Sequence, residues 1–291
     1  MRRARRERAL VALALLAACG RSLPEPGPEE RAALAAAAAV PPEPSAGCRV
    51  GGLPRVRDER RTLGVGGEQR SYLIDAPAAP GDRPLPLVLS FHGFRGSAWR
   101  HRWWTGLGRL ALREGFVAVH PEGHEGVRLL AATGRGWDIR PEETRDADFV
   151  RALLDGLERE RCIDRRRVFA TGMSNGAFFA NLLGCVAADR LAAVAPVAGG
   201  LDLRACAPAR PVPILFVYGR TDRIVPAEMV HGARDWWARV DGCGPAVERD
   251  GCTRYTRCAA EVVFCEGPQG HRWPRSATAR VWRFFQAHPR P

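Results

Sequence analysis

The chain has 291 residues, 46% hydrophobic and 26% charged, which suits one large core and excludes a disordered polymer. No apolar run approaches the ~20 residues a bilayer span requires, so a polytopic membrane protein is excluded. The formal charge of +12 comes from arginine alone, since the chain contains no lysine, and its 32 acidic residues are interspersed. A phosphate-binding stripe would be locally concentrated, so no nucleic-acid partner is expected.

Arg2, Arg3, Arg5, Arg6 and Arg8 precede an apolar run from Ala9 to Ala18 that ends at Cys19. A basic stretch followed by an apolar run of this length describes an export signal over 1–18, too short to anchor in a membrane. Leu16-Ala17-Ala18-Cys19 resembles a lipobox, in which the cysteine is lipidated and tethers the protein to the cell envelope. The alternative is an ordinary signal that happens to contain a cysteine. Prolines at 24, 26, 28, 41, 42 and 44 predict an extended linker over 19–47, with an alanine run that could form a short helix but has no amphipathic face.

From Cys48 to Pro291 strands and helices alternate. Residues 69–76 read as a half-buried strand and 85–91 as a buried one, followed by His92-Gly93-Phe94. A helix over 98–113 carries Trp103 and Trp104. A strand at 115–119 leads through Pro121-Glu122-Gly123 to a long loop bearing Gly136-Trp137-Asp138. A helix at 146–159 precedes a strand at 167–171, then Gly172-Met173-Ser174-Asn175-Gly176 and a helix over 175–187. Strands at 192–198, 212–218 and 261–265 follow, with helices at 227–239 and 277–287. This alternation predicts an α/β fold with a mostly parallel sheet covered on both faces, whose ligands bind beyond the carboxyl ends of the strands.

Functional residues should therefore follow the apolar runs. Ser174 sits in G-x-S-x-G at a strand-to-helix turn, where glycines permit the sharp bend that exposes a nucleophilic hydroxyl. Its partners should arrive in the order acid, then histidine. Asp222, after the strand at 212–218, is the favoured acid over Asp202 and Asp241. His271 follows the last strand; His288 lies in the tail and His231 on a helix, as a surface residue. The expected oxyanion donors are the amides of Asn175 and Phe94, with His92 a structural member of that loop. Trp137, Trp273 and Trp103 are candidate substrate platforms, though tryptophan is often core, and of Trp236 and Trp237 at least one should be. Setting Cys19 aside, the cysteines are Cys48, Cys162, Cys185, Cys206, Cys243, Cys252, Cys258 and Cys265. An even number in an exported chain points to disulfides of unknown connectivity, and no C-x-x-C pair suggests zinc.

Taken together, Cys162-Ile163-Asp164, Gly172-Met173-Ser174-Asn175-Gly176, Gly219-x-x-Asp222 with Ile224-Val225-Pro226, and Gly270-His271-x-Trp273-Pro274 resemble the polyhydroxybutyrate depolymerase / feruloyl esterase family. The likeness runs over about residues 50–288 and also takes in His92-Gly93-Phe94 and Pro121-Glu122-Gly123. It implies an exported α/β-hydrolase without a lid domain, with Ser174, Asp222 and His271 catalytic and no metal or organic cofactor. Two departures stand out. Paired acidic residues usual before the nucleophile strand appear as Arg145-Asp146, expected to be structural. The glycine-rich lead into the histidine reads Gly267-Pro268-Gln269-Gly270, expected to alter the pocket rim.

The expected activity is hydrolysis of a small or polymer-borne ester. Feruloyl- or acetyl-type esters of plant polysaccharide are favoured over polyhydroxyalkanoate. A serine peptidase and a catalytically silent binding protein are the lesser alternatives. The connection from Gly200 to Pro211 is too short for a helical cap, which predicts an open, tryptophan-rimmed groove. No polymer-binding module is expected after the last helix, and a monomer is the default.

Overall fold

A computed structural model describes residues 25–291 apart from positions 80, 82, 130, 141, 202, 204 and 205. The expected export signal, Cys19 and the competing acid Asp202 lie outside the described residues. Six parallel strands form the centre of a ten-stranded sheet. In spatial order they are β4 (Val117–Pro121), β3 (Leu85–Phe91), β7 (Ile163–Met173), β8 (Ala193–Val197), β9 (Ile214–Gly219) and β12 (Val262–Gly267). β3, β4, β8 and β9 are buried almost throughout, because helices cover both faces, and so they read as unbroken apolar runs.

The edges are antiparallel; the expected strand at 69–76 is there as β2 (Glu68–Ala76), but its outer partner and the two strands at the far edge were not legible. β1 (Val56–Val65) pairs with β2, while β10 (Ala246–Arg249) and β11 (Cys252–Tyr255) extend the other side. β1 reads VRDERRTLGV: an edge strand tolerates charge along its length, and charge there discourages pairing with another chain. The loop after β4 also folds, as a separate hairpin of β5 (His124–Leu129) and β6 (Ala132–Gly136).

Near the site, the expected helix over 98–113 is two, α2 (Ala98–Thr105) and α3 (Leu107–Glu114). They part at Gly106, which adopts a left-handed φ of 64° open only at a cost to other residues. α4 (Arg145–Glu160), α5 (Asn175–Val186) and α6 (Ala227–Val240) supply one core, in which Trp236 and Trp237 are both buried. α3 and α7 (Ala277–Ala287) supply the other, where Phe285 stacks on Phe169 and Trp282 on Phe116. His231 is half-buried with its ring edge against Phe264, a packing residue rather than a surface one.

The predicted linker is not an extended spacer. Residues Pro28–Ala39 form helix α1 against α7. Proline is well placed in its first turn, and alanine needs no amphipathic face to be helical. Docking comes from polar groups instead. Arg167 Nη2 donates to the carbonyls of Ala37 (2.8 Å) and Val40 (2.9 Å), capping the helix end. Glu29 pairs with Arg249, and Glu30 with Arg283. Ser45 Oγ bridges the Arg161 carbonyl and the Ile163 amide, so the folded unit begins upstream of the expected start at Cys48.

All eight remaining cysteines are paired, as Cys48–Cys162, Cys185–Cys206, Cys243–Cys258 and Cys252–Cys265. Four disulfides fit an oxidising compartment. The last joins facing residues of β11 and β12, and the second ties α5 to the connection following β8.

Candidate active site

The parallel register aligns the ends of five strands: Phe91 lies beside Gly172, Met173 beside Val197, and Gly219 beside Gly267. The loops that follow therefore open on one edge. Ser174 stands between β7 and α5 with φ 57° and ψ −123°, a strained backbone for a residue with a side chain. Its amide donates to the Val197 carbonyl at 3.1 Å, and its own carbonyl accepts the Ala177 and Phe178 amides. The bend leaves no room around it. A Cβ on Gly172 would strike the Gly176 carbonyl, and one on Gly176 would strike the Phe91 and His92 carbonyls. Gly93 presses against the serine from the other side, where a Cβ would lie 3.3 Å from Ser174 Cβ.

Across the edge, His271 Nδ1 lies 2.8 Å from Asp222 Oδ2. The carboxylate is fully buried while the imidazole keeps 18% of its exposure, so one ring face remains open to the edge. Asp222 Oδ1 accepts the Ile224 and Val225 amides at 2.9 and 3.0 Å, which fixes the carboxylate's rotation. The loop is then stapled to its neighbour. Gln269 Nε2 donates to the Tyr218 carbonyl (2.9 Å), Thr221 Oγ1 donates to the Pro268 carbonyl (3.0 Å), and Tyr218 Oη donates to the Val225 carbonyl (2.7 Å). Gln269, which interrupts the expected glycine-rich lead, is thus a strut between the aspartate and histidine loops. Ser174 Oγ itself has no hydrogen-bond partner among the described residues.

The loop after β3 completes the edge. His92 is buried, and burial holds its imidazole below the ordinary range. Its Nε2 accepts the Gly123 amide at 2.9 Å, so the ring proton sits on Nδ1 and is donated to the Gly93 carbonyl at 2.8 Å. That tautomer leaves Nε2 no proton for Glu122 Oε1, 3.5 Å away, so the two do not form an ion pair. Glu122 instead accepts the Ala98 amide at 3.1 Å, seating the start of α2. Neither the Phe94 nor the Asn175 amide has a protein acceptor among the described residues, so both remain free to donate.

Trp137 is not a rim residue. It is wholly buried, stacked on Phe179 at 5.1 Å, with its indole N–H donated to the His92 carbonyl at 2.9 Å. Asn175 grips its backbone from the other side: Oδ1 accepts the Trp137 amide at 2.8 Å and Nδ2 donates to the Trp137 carbonyl at 3.0 Å. One indole therefore locks the loop after β3 to the start of α5. No sequence signal distinguished this from a binding platform, because a buried and an exposed tryptophan look alike in a loop. Arg145-Asp146 is structural: Asp146 is fully buried between Arg70 (2.7 Å) and the Asp138 amide (2.8 Å), which anchors the same loop. Trp273 is half-buried, its N–H on Thr278 Oγ1 at 2.9 Å and its ring edge-on to His101. Trp103 is open to solvent on α2.

No protein-family model matches the chain. Over 222 residues it is 28% identical to feruloyl esterase B of Piromyces equi, covering 66% of this chain and 40% of that protein. Over 120 residues it is 29% identical to poly(3-hydroxyalkanoate) depolymerase C of Paucimonas lemoignei, covering 40% of this chain and 28% of that one. The acetyl xylan esterase of Aspergillus awamori superposes with a TM-score of 0.61 at 14% identity, over 78% of this chain and 99% of that one. The fold is that of the α/β-hydrolases. The likeness read from the motifs, to feruloyl esterases and a polyhydroxyalkanoate depolymerase, holds in the full sequence comparison. This α/β-hydrolase spans less than half the length of the first curated relatives it matches.

Proposed function

We propose that the protein is an exported serine carboxylic-ester hydrolase. The observation that carries this reading is the strained Ser174 elbow on the same sheet edge as His271, whose Nδ1 lies 2.8 Å from Asp222 Oδ2. Ser174 Oγ attacks the ester carbonyl carbon while His271 Nε2 takes the hydroxyl proton; Asp222, on Nδ1, holds the tautomer that makes Nε2 the base. The carbonyl oxygen becomes an oxyanion between the Phe94 and Asn175 amides, each worth about 3 kcal/mol in the transition state. As the C–O bond breaks, His271 returns the proton to the leaving alcohol. Water, deprotonated by the same imidazole, then attacks the acyl-serine and releases the acid, restoring Ser174.

Feruloyl- or acetyl-type esters on polysaccharide suit the reading best. The relatives named feruloyl esterase and the neighbour named acetyl xylan esterase support it. Polyhydroxyalkanoate cleavage is the second reading, supported by the relative named for that activity. None of the described residues between β8 and β9 is helical, in keeping with a groove free of a cap there. Attachment to the envelope through a lipid on Cys19 belongs to the same reading.

The test is hydrolysis of p-nitrophenyl acetate, methyl ferulate and hydroxybutyrate oligomers by the wild type and by Ser174→Ala. The variant should lose about 10⁴-fold or more in kcat on whichever ester the enzyme prefers. Equal rates for the two proteins would overturn the enzyme reading, and turnover of the oligomers alone would put the second reading first.

A further inference from the structure

Helix α2 leaves the loop of His92 and runs beside the loop of His271. Thr278 Oγ1 accepts the Trp273 N–H (2.9 Å) and donates to the Thr105 carbonyl (2.5 Å), while His101 meets the Trp273 ring at 5.7 Å. On its outer side the helix shows three tryptophans. Trp99 is 54% exposed, Trp103 59% and Trp104 57%, in a chain whose interior takes up Trp137, Trp236, Trp237 and Trp282. Trp99 and Trp103 are four residues apart and so share one face. Three unburied indoles on eight residues are not needed by the core, and an exposed aromatic cluster beside a catalytic edge marks a contact surface.

On three of the loops at the same edge the charge is one-sided, while the fourth, after β4, carries Glu122 and Glu125 paired with Arg135. Exposed arginines stand at Arg95 and Arg100 after β3, at Arg220 and Arg223 around Asp222, and at Arg272 and Arg275 beyond His271. Across the segments 92–105, 219–226 and 270–276 there is no glutamate, and the single aspartate, Asp222, is buried against His271. None of the six arginines forms an ion pair among the described residues. Elsewhere many arginines are drawn into pairs such as Arg61–Glu160, Arg190–Asp155 and Arg254–Glu261, though exposed ones such as Arg109 and Arg239 also have none among the described residues. The rim is therefore a cationic, aromatic surface with unspent charge.

Resting on the esterase reading above, we infer that the surface formed by Trp99, Trp103 and the rim arginines binds an acidic polysaccharide, the uronate-bearing chain that carries the scissile ester. Indole faces stack on pyranose rings, and guanidinium groups take the carboxylates of the uronic acids bidentately. A neutral polyester offers neither partner to the arginines. Attraction between a cationic edge and an anionic chain raises the rate of encounter and weakens with salt.

The experiment compares acetylated glucuronoxylan with the same polymer carboxyl-reduced and re-acetylated to the same degree, each rate referred to that on p-nitrophenyl acetate. The wild type should favour the acidic polymer about tenfold in kcat/KM at low ionic strength, and this preference should collapse at high salt. Arg100→Gln/Arg272→Gln should erase the preference. Trp99→Ala/Trp103→Ala should raise KM on both polymers several-fold relative to the small ester. Equal kcat/KM on the two polymers, or a preference indifferent to salt and to the arginine variant, overturns the inference while Ser174-dependent turnover of p-nitrophenyl acetate leaves the esterase reading standing. Loss of that dependence would fell the esterase reading itself. Binding to phosphatidylglycerol vesicles that the same variants abolish, with no polymer preference, would assign the surface to a membrane and also overturn the inference.

Discussion

The two halves of the proposed catalytic edge are built on different principles. On the serine side, position is enforced by backbone crowding: Gly172 and Gly176 stand where any side chain would collide, Gly93 sits in tight contact with Ser174, and Trp137 is wedged between Asn175 and the His92 carbonyl. On the acid–histidine side, two loops follow neighbouring strands and are joined by side-chain hydrogen bonds from Gln269 and Thr221, while Tyr218 braces the aspartate loop from within. The first construction has no intermediate setting, since a collision is either present or absent. The second can be loosened one bond at a time. Substitutions should therefore act sharply on one half and gradually on the other.

The largest effect is expected from Gly176→Ala. Its methyl would occupy the space of two carbonyls, and the bend cannot widen without parting β3 from β7, so a loss of roughly 3 kcal/mol or more is expected. Thermal denaturation followed by circular dichroism would register it; a melting temperature within a degree or two of wild type would show that the elbow can relax. Next comes Asp222→Asn, which keeps the loop's shape but lets the imidazole take the wrong tautomer. On the proposed mechanism kcat should drop by about 10³–10⁴ with little change in melting temperature. A modest drop would mean that His271 is oriented by something else.

Two sets of buried groups should also respond to opposite extremes of pH. Beneath the serine side, His120 is fully buried with both ring nitrogens unpartnered, and burial lowers its pKa to about 4; burial likewise holds His101 well below the imidazole range. These rings bind protons more readily when unfolded, so the stability of their neutral state is present above pH ~6.5 and is lost as pH falls toward 4. At the far end of α6, near Arg210 and away from the site, both Asp241 oxygens are buried without partners, and burial raises the carboxyl to about 7. Its contribution has the opposite sign: present below pH ~3.8, and lost as pH rises toward 7. Asp241→Asn should therefore raise the melting temperature at pH 8, by an amount equivalent to about 2–4 kcal/mol, and make little difference at pH 4. A uniform shift at both pH values would remove the carboxyl from the account. The smallest effect belongs to Gln269→Ala, which cuts one strut between loops that keep others; a fall of a few-fold in kcat is expected, and a fall as deep as that of Asp222→Asn would make this half as rigid as the serine side.

What the sequence revealed follows the same division. The parallel strands were legible because burial on both faces leaves a plain apolar run, and Ser174 because glycines flank it at a strand end. The order of acid and histidine along the chain was enough to single out Asp222 and His271 for one edge. The charged edge strand β1 and the short β10 and β11 were not legible, since pairing there depends on a partner distant in sequence rather than on pattern. Trp137 was misread for a related reason: its ring is covered by Phe91 and Phe179 and its backbone is held by the Asn175 side chain, all distant along the chain. The arm over 28–47 was misread because its helix docks through capping and ion pairs with Arg167, Arg249 and Arg283, none visible in its own composition.

That arm has a mechanical consequence. A pull applied upstream of Pro28 would first meet the ion pairs of Glu29 and Glu30, which can be peeled away in turn. It would then reach Cys48, where the chain is covalently joined to Cys162, one residue before β7 begins. Beyond that point the load bypasses 114 residues of sequence and enters the central strand that ends beside Ser174. β7 is held along its length by β3 and β8, so it is loaded in shear, the direction in which a sheet yields only when many hydrogen bonds break together. Tension on the arm would thus be borne by the strand beneath the serine, while the loops of Asp222 and His271 would hang outside the line of force.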